Sequence, residues 1–184
     1  KLPCHLHHRI IRIPNWSDEK RVKPVPKQHN NFRHQLGIHN LFVVQYAGRM
    51  GRTHNLEPII EAARELATEK VLFQFVGEGA KKETLQQMVA QHNLSNVQFL
   101  GYQPMECLAE MLSAADLALV CLEDAFTGLS VPSKSYGIMA SGTPILGFVQ
   151  PDSEIGQMIT EEACGVVLPN PTAEQISHTL RSLI

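Results

Sequence analysis

The chain has 184 residues, 43% of them apolar and 18% charged, with a formal net charge of −2 and a pI near 6.5. That is the make-up of an ordinary soluble globular domain, and it speaks against a nucleic-acid binder that works by broad phosphate neutralisation. No apolar run approaches the ~20 residues that cross a bilayer, and the four cysteines, Cys4, Cys107, Cys121 and Cys164, are scattered, as expected of reduced thiols in a cytosolic protein.

Residues 1–40 differ from the rest. They hold six of the nine histidines and four of the eleven prolines, and only the alternation at 9–13 (RIIRI) resembles a strand. IPNW at 13–16 leads into a polar, basic run stiffened by Pro24 and Pro26. This pattern predicts the last strand of another unit followed by a linker. Cys4, His5, His7 and His8 invite a zinc reading, but no second ligand pair follows at finger-like spacing. No metal site is expected.

From residue 41 onward the pattern is regular. Apolar, β-branched-rich runs at 41–47, 71–76, 97–100, 117–122, 144–149 and 165–168 read as strands. Between them lie stripes of helical period: Leu56, Ile59, Ile60, Ala63, Leu66 and Ala67; then Leu85, Met88 and Val89; then Met105, Leu108, Met111, Leu112 and Ala115; finally Ile176, Leu180 and Leu183. Near-continuous apolar strands alternating with helices predict a parallel sheet covered on both faces. The fold class is therefore α/β, a doubly wound, Rossmann-like sheet of six strands over 41–184, with order 3-2-1-4-5-6.

In that order the first and fourth strands are neighbours, and the chain leaves them in opposite directions. Ligands bind outside the carboxyl ends of the strands at this switch point. The loop after the first strand carries Gly48, Arg49, Gly51 and Arg52. The stretch after the fourth runs from Glu123 through Gly128, Leu129 and Ser130 into PSK, with Pro132 and Ser133 opening a helix that Gly142 stops. Ser133 is the expected alternative cap. Lys134 and the amides of that helix start suit an anion, and arginine's planar fork suits phosphate oxygens. The loops with Gly77 and Gly79, and with Gly101, Tyr102 and Gln103, would rim the same crevice.

A dinucleotide fingerprint, a P-loop, a nucleophile elbow and an HExxH site are all absent from the sequence. The series AGRMGR (47–52), FVGEGAKKETL (75–85), LSNVQFLGYQP (94–104), AADLALV (114–120), GLSVPSKSYGIMASGTP (128–144) and GVVLP (165–169) resembles the C-terminal half of a retaining glycosyltransferase of family 4. It is most like the branch with a V-P-S-K motif that is often met in capsule, exopolysaccharide and lipopolysaccharide synthesis.

The resemblance implies the GT-B architecture of two Rossmann-like domains, of which only the second, donor-binding one is complete in this chain. Residues 1–40 would then be the end of a missing N-terminal domain plus its linker. It implies a nucleotide-diphosphate sugar as substrate, no metal and no other cofactor. Arg49 and Arg52 become the catalytic candidates, clamping the diphosphate and neutralising its charge as it leaves. The family's lysine five places after the first arginine aligns with His54. Backbone around Gly128, Leu129 and Ser130 would hold phosphate, and backbone at 101–103 would meet the base. The two glutamates that many members place eight apart fall at Leu129 and Gly137, so neither carboxylate is present. Glu123 and Lys134 stand as alternatives for reorganising the site.

A glycan or lipid-linked acceptor would come through the missing domain, as would any peripheral contact with a membrane. The location implied is cytoplasmic, with the inner face of the membrane as the variant. Two other readings stay open: a non-catalytic nucleotide- or phosphosugar-binding module, and a nucleotide-sugar epimerase of the same architecture.

Overall fold

In the computed structural model six strands form one parallel sheet: β1 (Phe42–Ala47), β2 (Val71–Val76), β3 (Val97–Leu100), β4 (Leu117–Cys121), β5 (Ile145–Phe148) and β6 (Gly165–Val167). Their order is β3-β2-β1-β4-β5-β6, the doubly wound order expected. The structure describes Pro3, Arg9, Ile11 and residues 15–18, 20–52, 54–122 and 132–184. The Cys4–His8 cluster, most of the 9–13 alternation, Glu123, Gly128, Leu129 and Ser130 lie outside the described residues. Among the described residues no helix is long and apolar enough to cross a membrane.

The sheet is buried on both faces because its inner strands are apolar on both sides. Val44, Tyr46, Phe73, Phe75, Leu119 and Cys121 pack with α2 (Glu57–Glu65) and α7 (Ala173–Arg181). Val76, Ala118, Val120 and Ile145 pack with α4 (Leu108–Ser113), α5 (Lys134–Ala140) and α6 (Glu154–Glu161). The helix α3 (Lys82–Gln91) adds Leu85 to the first of these cores. The stripes of α2 and α7 turn inward within the helices, with Ile59, Ile60, Ala63, Ile176 and Leu180 all fully buried, whereas Ala67 and Leu183, expected in the same stripes, lie past the helix ends and are exposed.

Within the second face runs a polar rung. Gln45, Gln74 and Gln98 occupy one register across β1, β2 and β3. Gln45 donates to Gln74 at 2.8 Å, and Gln74 donates to Gln98 at 2.9 Å. Gln45 also donates to the Met111 carbonyl at 3.0 Å. Each buried amide is thus satisfied, and a one-residue slip of register would break every link.

Two expectations are corrected. Residues 22–40, part of the 1–40 segment read as the end of another unit plus its linker, pack on the sheet. The helix α1 (Asn31–Leu36) is capped by Asn30, whose side chain accepts from the Arg33 amide and donates to the Glu110 carbonyl at 2.7 Å. Val22 and Phe32 are core residues, and Arg33 is only 3% exposed. Its guanidinium bonds Asp116 and the carbonyls of Ala114, Ile38 and Leu41 at 2.6–3.0 Å. A basic, polar composition hid a segment that buries one charge, that of Arg33, among its hydrogen-bond partners. The second correction is Met105, expected in a core stripe: it lies in a 3-10 turn (Met105–Cys107) and is 64% exposed. That tighter turn breaks the helical period before α4 begins.

Candidate functional site

Where β1 ends, the backbone makes a loop that could not form with side chains at two facing positions. Gly77 and Gly79 follow β2 with φ of +129° and +156°. A Cβ on Gly77 would stand 2.2 Å from the Gly48 carbonyl oxygen, and one on Gly79 would stand 2.3 Å from the Met50 carbonyl oxygen. The loop is further tied by Gly48 N–H to the Val76 carbonyl (2.9 Å), Met50 N–H to the Glu78 carbonyl (2.9 Å) and Lys81 N–H to the Met50 carbonyl (3.1 Å). Met50 itself is fully buried. The phenol of Tyr46, also fully buried, donates to the Arg49 carbonyl at 2.8 Å. So the backbone of 48–51 is fixed from beneath, and the two arginines are presented outward.

Arg49 and Arg52 are exposed, and neither makes an ion pair among the described residues. Together with Gly51, His54 and Ala80 they line an open depression of about 430 Å³. Two basic side chains at the start of α3 are already engaged: Lys81, just before the helix, pairs with Glu57 at 2.9 Å and Lys82 with Glu78 at 2.7 Å. Burial opposes ionisation of Glu57, but the hydrogen bond and charge of Lys81 outweigh it and hold that carboxyl below its ordinary range. Within this depression the positive charge left for a ligand is therefore that of the two arginines.

A second groove, of about 450 Å³, reaches Gly48, the residue before Arg49 of the first, and is floored by Ala47, Leu108, Met111, Ser133, Lys134 and Gly137. Trp16, Asp18 and Val22 wall it, so the segment before α1 folds back over the carboxyl end of the sheet. Gly137 lines this groove, and a Cβ there would meet only the Leu112 side chain at 3.5 Å. The position where the resemblance expects a glutamate is thus open rather than filled. A larger cavity, about 660 Å³, lies between Thr143, Cys164 and Met158 at the starts of β5 and β6, the opposite end of the strands.

Tyr46, fully buried, touches residues of both depressions. The ammonium of Lys134 sits 3.7 Å from the centre of the Tyr46 ring, and a Cβ on Gly48 would be 3.7 Å from that same nitrogen. His54 meets the ring edge-on at 6.1 Å, and its Nδ1 is buried without a hydrogen-bond partner. Lys134 reaches the surface in part, yet its ammonium is enclosed, and burial lowers its pKa to about 8. Burial likewise pushes the Cys121 thiol up to about 12 and raises the Tyr46 phenol. His54 is lowered by burial and by the charge of Lys134.

The other expected residues fall as follows. Gly101 and Tyr102 are exposed on the loop after β3, with Tyr102 66% exposed. Gln103 closes that loop on the Gly101 carbonyl at 3.0 Å. Gly77 and Gly79 line neither depression; they shape the loop that does. Ser133 precedes α5 but makes no capping bond, because its backbone is already helical. The turn is held instead by the Ser135 hydroxyl donating to the Pro132 carbonyl at 2.6 Å. With seven residues, α5 is also too short to supply much dipole, and the cation at its start is what remains for an anion. Tyr46 and Trp16 went unread in the sequence. For Tyr46 a signal existed: a phenol inside an otherwise aliphatic buried strand needs a polar partner.

The family model described as "Glycosyl transferases group 1" matches residues 28–184. The probable glycosyltransferase WbjE of Pseudomonas aeruginosa is 33% identical over 156 residues, which is 85% of this chain and 39% of that one. The chain thus spans well under half the length of this curated relative. Among solved structures, the C-terminal domain of the group 1 glycosyl transferase LpcC from Francisella tularensis superposes with a TM-score of 0.72 at 19% identity, over 91% of this chain and 87% of that one. HepE of Anabaena, solved in complex with UDP and glucose, gives a TM-score of 0.71 at 20% identity, over 91% of this chain and 45% of that one. At such identity these two structures speak for the fold, which is that of the C-terminal domain of a GT-B protein.

Proposed function

The chain belongs to the glycosyl transferases group 1 family, and from that premise we propose that it is the donor half of a retaining glycosyltransferase, taking a nucleotide-diphosphate sugar at the carboxyl ends of β1 and β4. The observation that carries this reading is the pair Arg49 and Arg52, exposed, without carboxylate partners among the described residues, and presented by a loop tied through its backbone to the residues after β2. Two such cations side by side suit a diphosphate, whose oxygens accept the charge-assisted bonds of both forks. HepE, of the same fold, was solved with UDP, which supports a nucleoside diphosphate as ligand class.

In chemical terms the arginines would bind the ground-state diphosphate and bind it better as the glycosidic bond breaks. Negative charge then grows on the departing oxygen, and fixed cations stabilise it without reorganising. No metal is invoked for that task. The acceptor, read as a glycan or lipid-linked glycan from the V-P-S-K resemblance, would be presented by a further Rossmann-like domain ahead of this one. The cytoplasmic location, at or near the membrane's inner face, belongs to the same proposal.

One observation favours a second reading, a nucleotide-binding module without transfer. Gly137 leaves open the place of a family carboxylate, and Leu129 stands at the other. Titration calorimetry with UDP, GDP and ADP tests both. Binding of at least one, with the matching monophosphate clearly weaker, is expected. A folded chain that takes none of them at millimolar concentration contradicts the donor reading.

A further inference from the structure

Lys134 is expensive where it stands. Its ammonium is enclosed, no carboxylate among the described residues pairs with it, and it lies 3.7 Å over the face of Tyr46. The groups around it are neutral or alike in sign: the Tyr46 phenol on β1, the Cys121 thiol on β4, and His54, itself within reach of Lys81, on the β1–α2 loop. A cation–π contact offsets only part of the cost of taking an ammonium out of water. An apolar side chain would satisfy the packing better, so a charge kept at this position points to a ligand. The groove that it lines opens at Gly48, one residue from Arg49.

We propose that Lys134 is the second anchoring point of the diphosphate site, delivered from α5 where the β1–α2 loop offers His54, and that a nucleoside diphosphate draws its ammonium off the ring of Tyr46. The inference rests on reading the Arg49–Arg52 depression as the diphosphate site. It adds the direction from which the opposing cation comes and the place where that cation waits. A stem of four methylenes lets the ammonium swing without moving the helix. The ring of Tyr46 stays fixed, because its phenol is bonded to the Arg49 carbonyl. Because Lys134 is partly deprotonated near pH 8 when free, the incoming anion also favours its charged form, and binding takes up protons there.

The test uses the 184-residue chain and the tightest of UDP, GDP and ADP. Lys134→Met is expected to weaken that diphosphate about tenfold or more while changing the monophosphate far less. Lys134→Arg should recover part of the loss. Wild-type binding at pH 8, run in two buffers of different ionisation enthalpy, should show proton uptake that Lys134→Met removes. Cyanate labelling gives a readout independent of any variant: the Lys134 amine should carbamylate faster than the other lysines, and the diphosphate should protect it. If Arg49→Ala weakens the diphosphate but Lys134→Met stays within twofold of wild type, or labelling of Lys134 ignores the ligand, the inference falls and the donor site stands. If Arg49→Ala and Lys134→Met both leave the affinity unchanged, the donor reading falls too.

Discussion

Arg33, ahead of the sheet, places its guanidinium nitrogen 3.0 Å from the carboxylate of Asp116, at the start of β4. The same carboxylate oxygen accepts the Val43 amide at 2.8 Å, and the other oxygen takes Lys27. One aspartate thus ties α1 and the turn before it, the start of β1 and the start of β4 together. The entry to the domain is fixed at the opposite end of the sheet from the arginine loop.

Removing Arg33 takes one of its three partners from Asp116 and strips the carbonyls of Ala114 and Leu41 of their guanidinium donor. Arg33→Met should cost roughly 3–5 kcal/mol, the usual penalty for breaking a buried pair from one side, read by urea unfolding. Asp116 carries a carboxyl pKa below its ordinary value: burial opposes this, but the bonds from Lys27, Val43 and Arg33 outweigh it. Its contribution is therefore present above the unfolded value near ~3.9 and lost as pH falls through the lower folded value. Asp116→Asn should flatten the stability profile below about pH 4. An unchanged acid limb would show that the network contributes nothing.

The loop glycines make a separate claim. Gly77→Ala must displace the Gly48 backbone, since its Cβ would stand 2.2 Å from that carbonyl, and its φ of +129° is unsuited to an L side chain. A loss of stability of about 1–3 kcal/mol should come with weaker nucleotide binding, although Gly77 lines neither depression. Gly101→Ala serves as the contrast. Its Cβ would meet only a Glu78 carboxylate oxygen at 3.5 Å, and stability should hold within about 0.5 kcal/mol.

How much of this could be read from residues alone follows from what each signal encodes. The sheet was legible because buried parallel strands are apolar on both faces and recur between amphipathic helices, as 71–76 and α2 show. The segment 22–40 was not, because Arg33 and Asn30 look like surface residues until the carbonyls that satisfy them are placed. Arg49 and Arg52 were proposed from their position after the first strand, and Lys134 from the motif that carries it. Their arrangement around Tyr46 was hidden, since it depends on how α5 meets β1 across the switch point. Gly77 and Gly79 were noticed for contact with ligand, whereas the contact they permit is with the neighbouring loop.

Lys134 gives a prediction opposite in sign to most substitutions of buried residues. Its folded pKa, about 8, lies below the unfolded value near ~10.4. Between these pH values the unfolded chain binds more protons, so the folded state gains stability as pH rises through that window. Below it the cost of the enclosed charge is fully present. Lys134→Met should therefore raise the Tm of the ligand-free chain at pH 7, with a smaller gain at pH 10. A lower Tm at pH 7 would show instead that the ammonium contributes favourably to the fold, and that its enclosure against Tyr46 needs no ligand to explain it.

The central claim is that Arg49 and Arg52 hold the diphosphate of a nucleotide sugar, and calorimetry on the double variant tests it most directly. Each charge-assisted contact is worth about 1.5–3 kcal/mol, so Arg49→Ala with Arg52→Ala should lower affinity for the preferred nucleoside diphosphate at least about a hundredfold. Both side chains are exposed, so the Tm should stay close to that of wild type. Arg64→Ala, which removes a surface charge pairing with Glu61 at 3.2 Å on α2, should alter neither quantity. A double variant that still binds the diphosphate as wild type does would contradict the claim, and the phosphate site would then have to lie elsewhere than at the β1–β4 switch point.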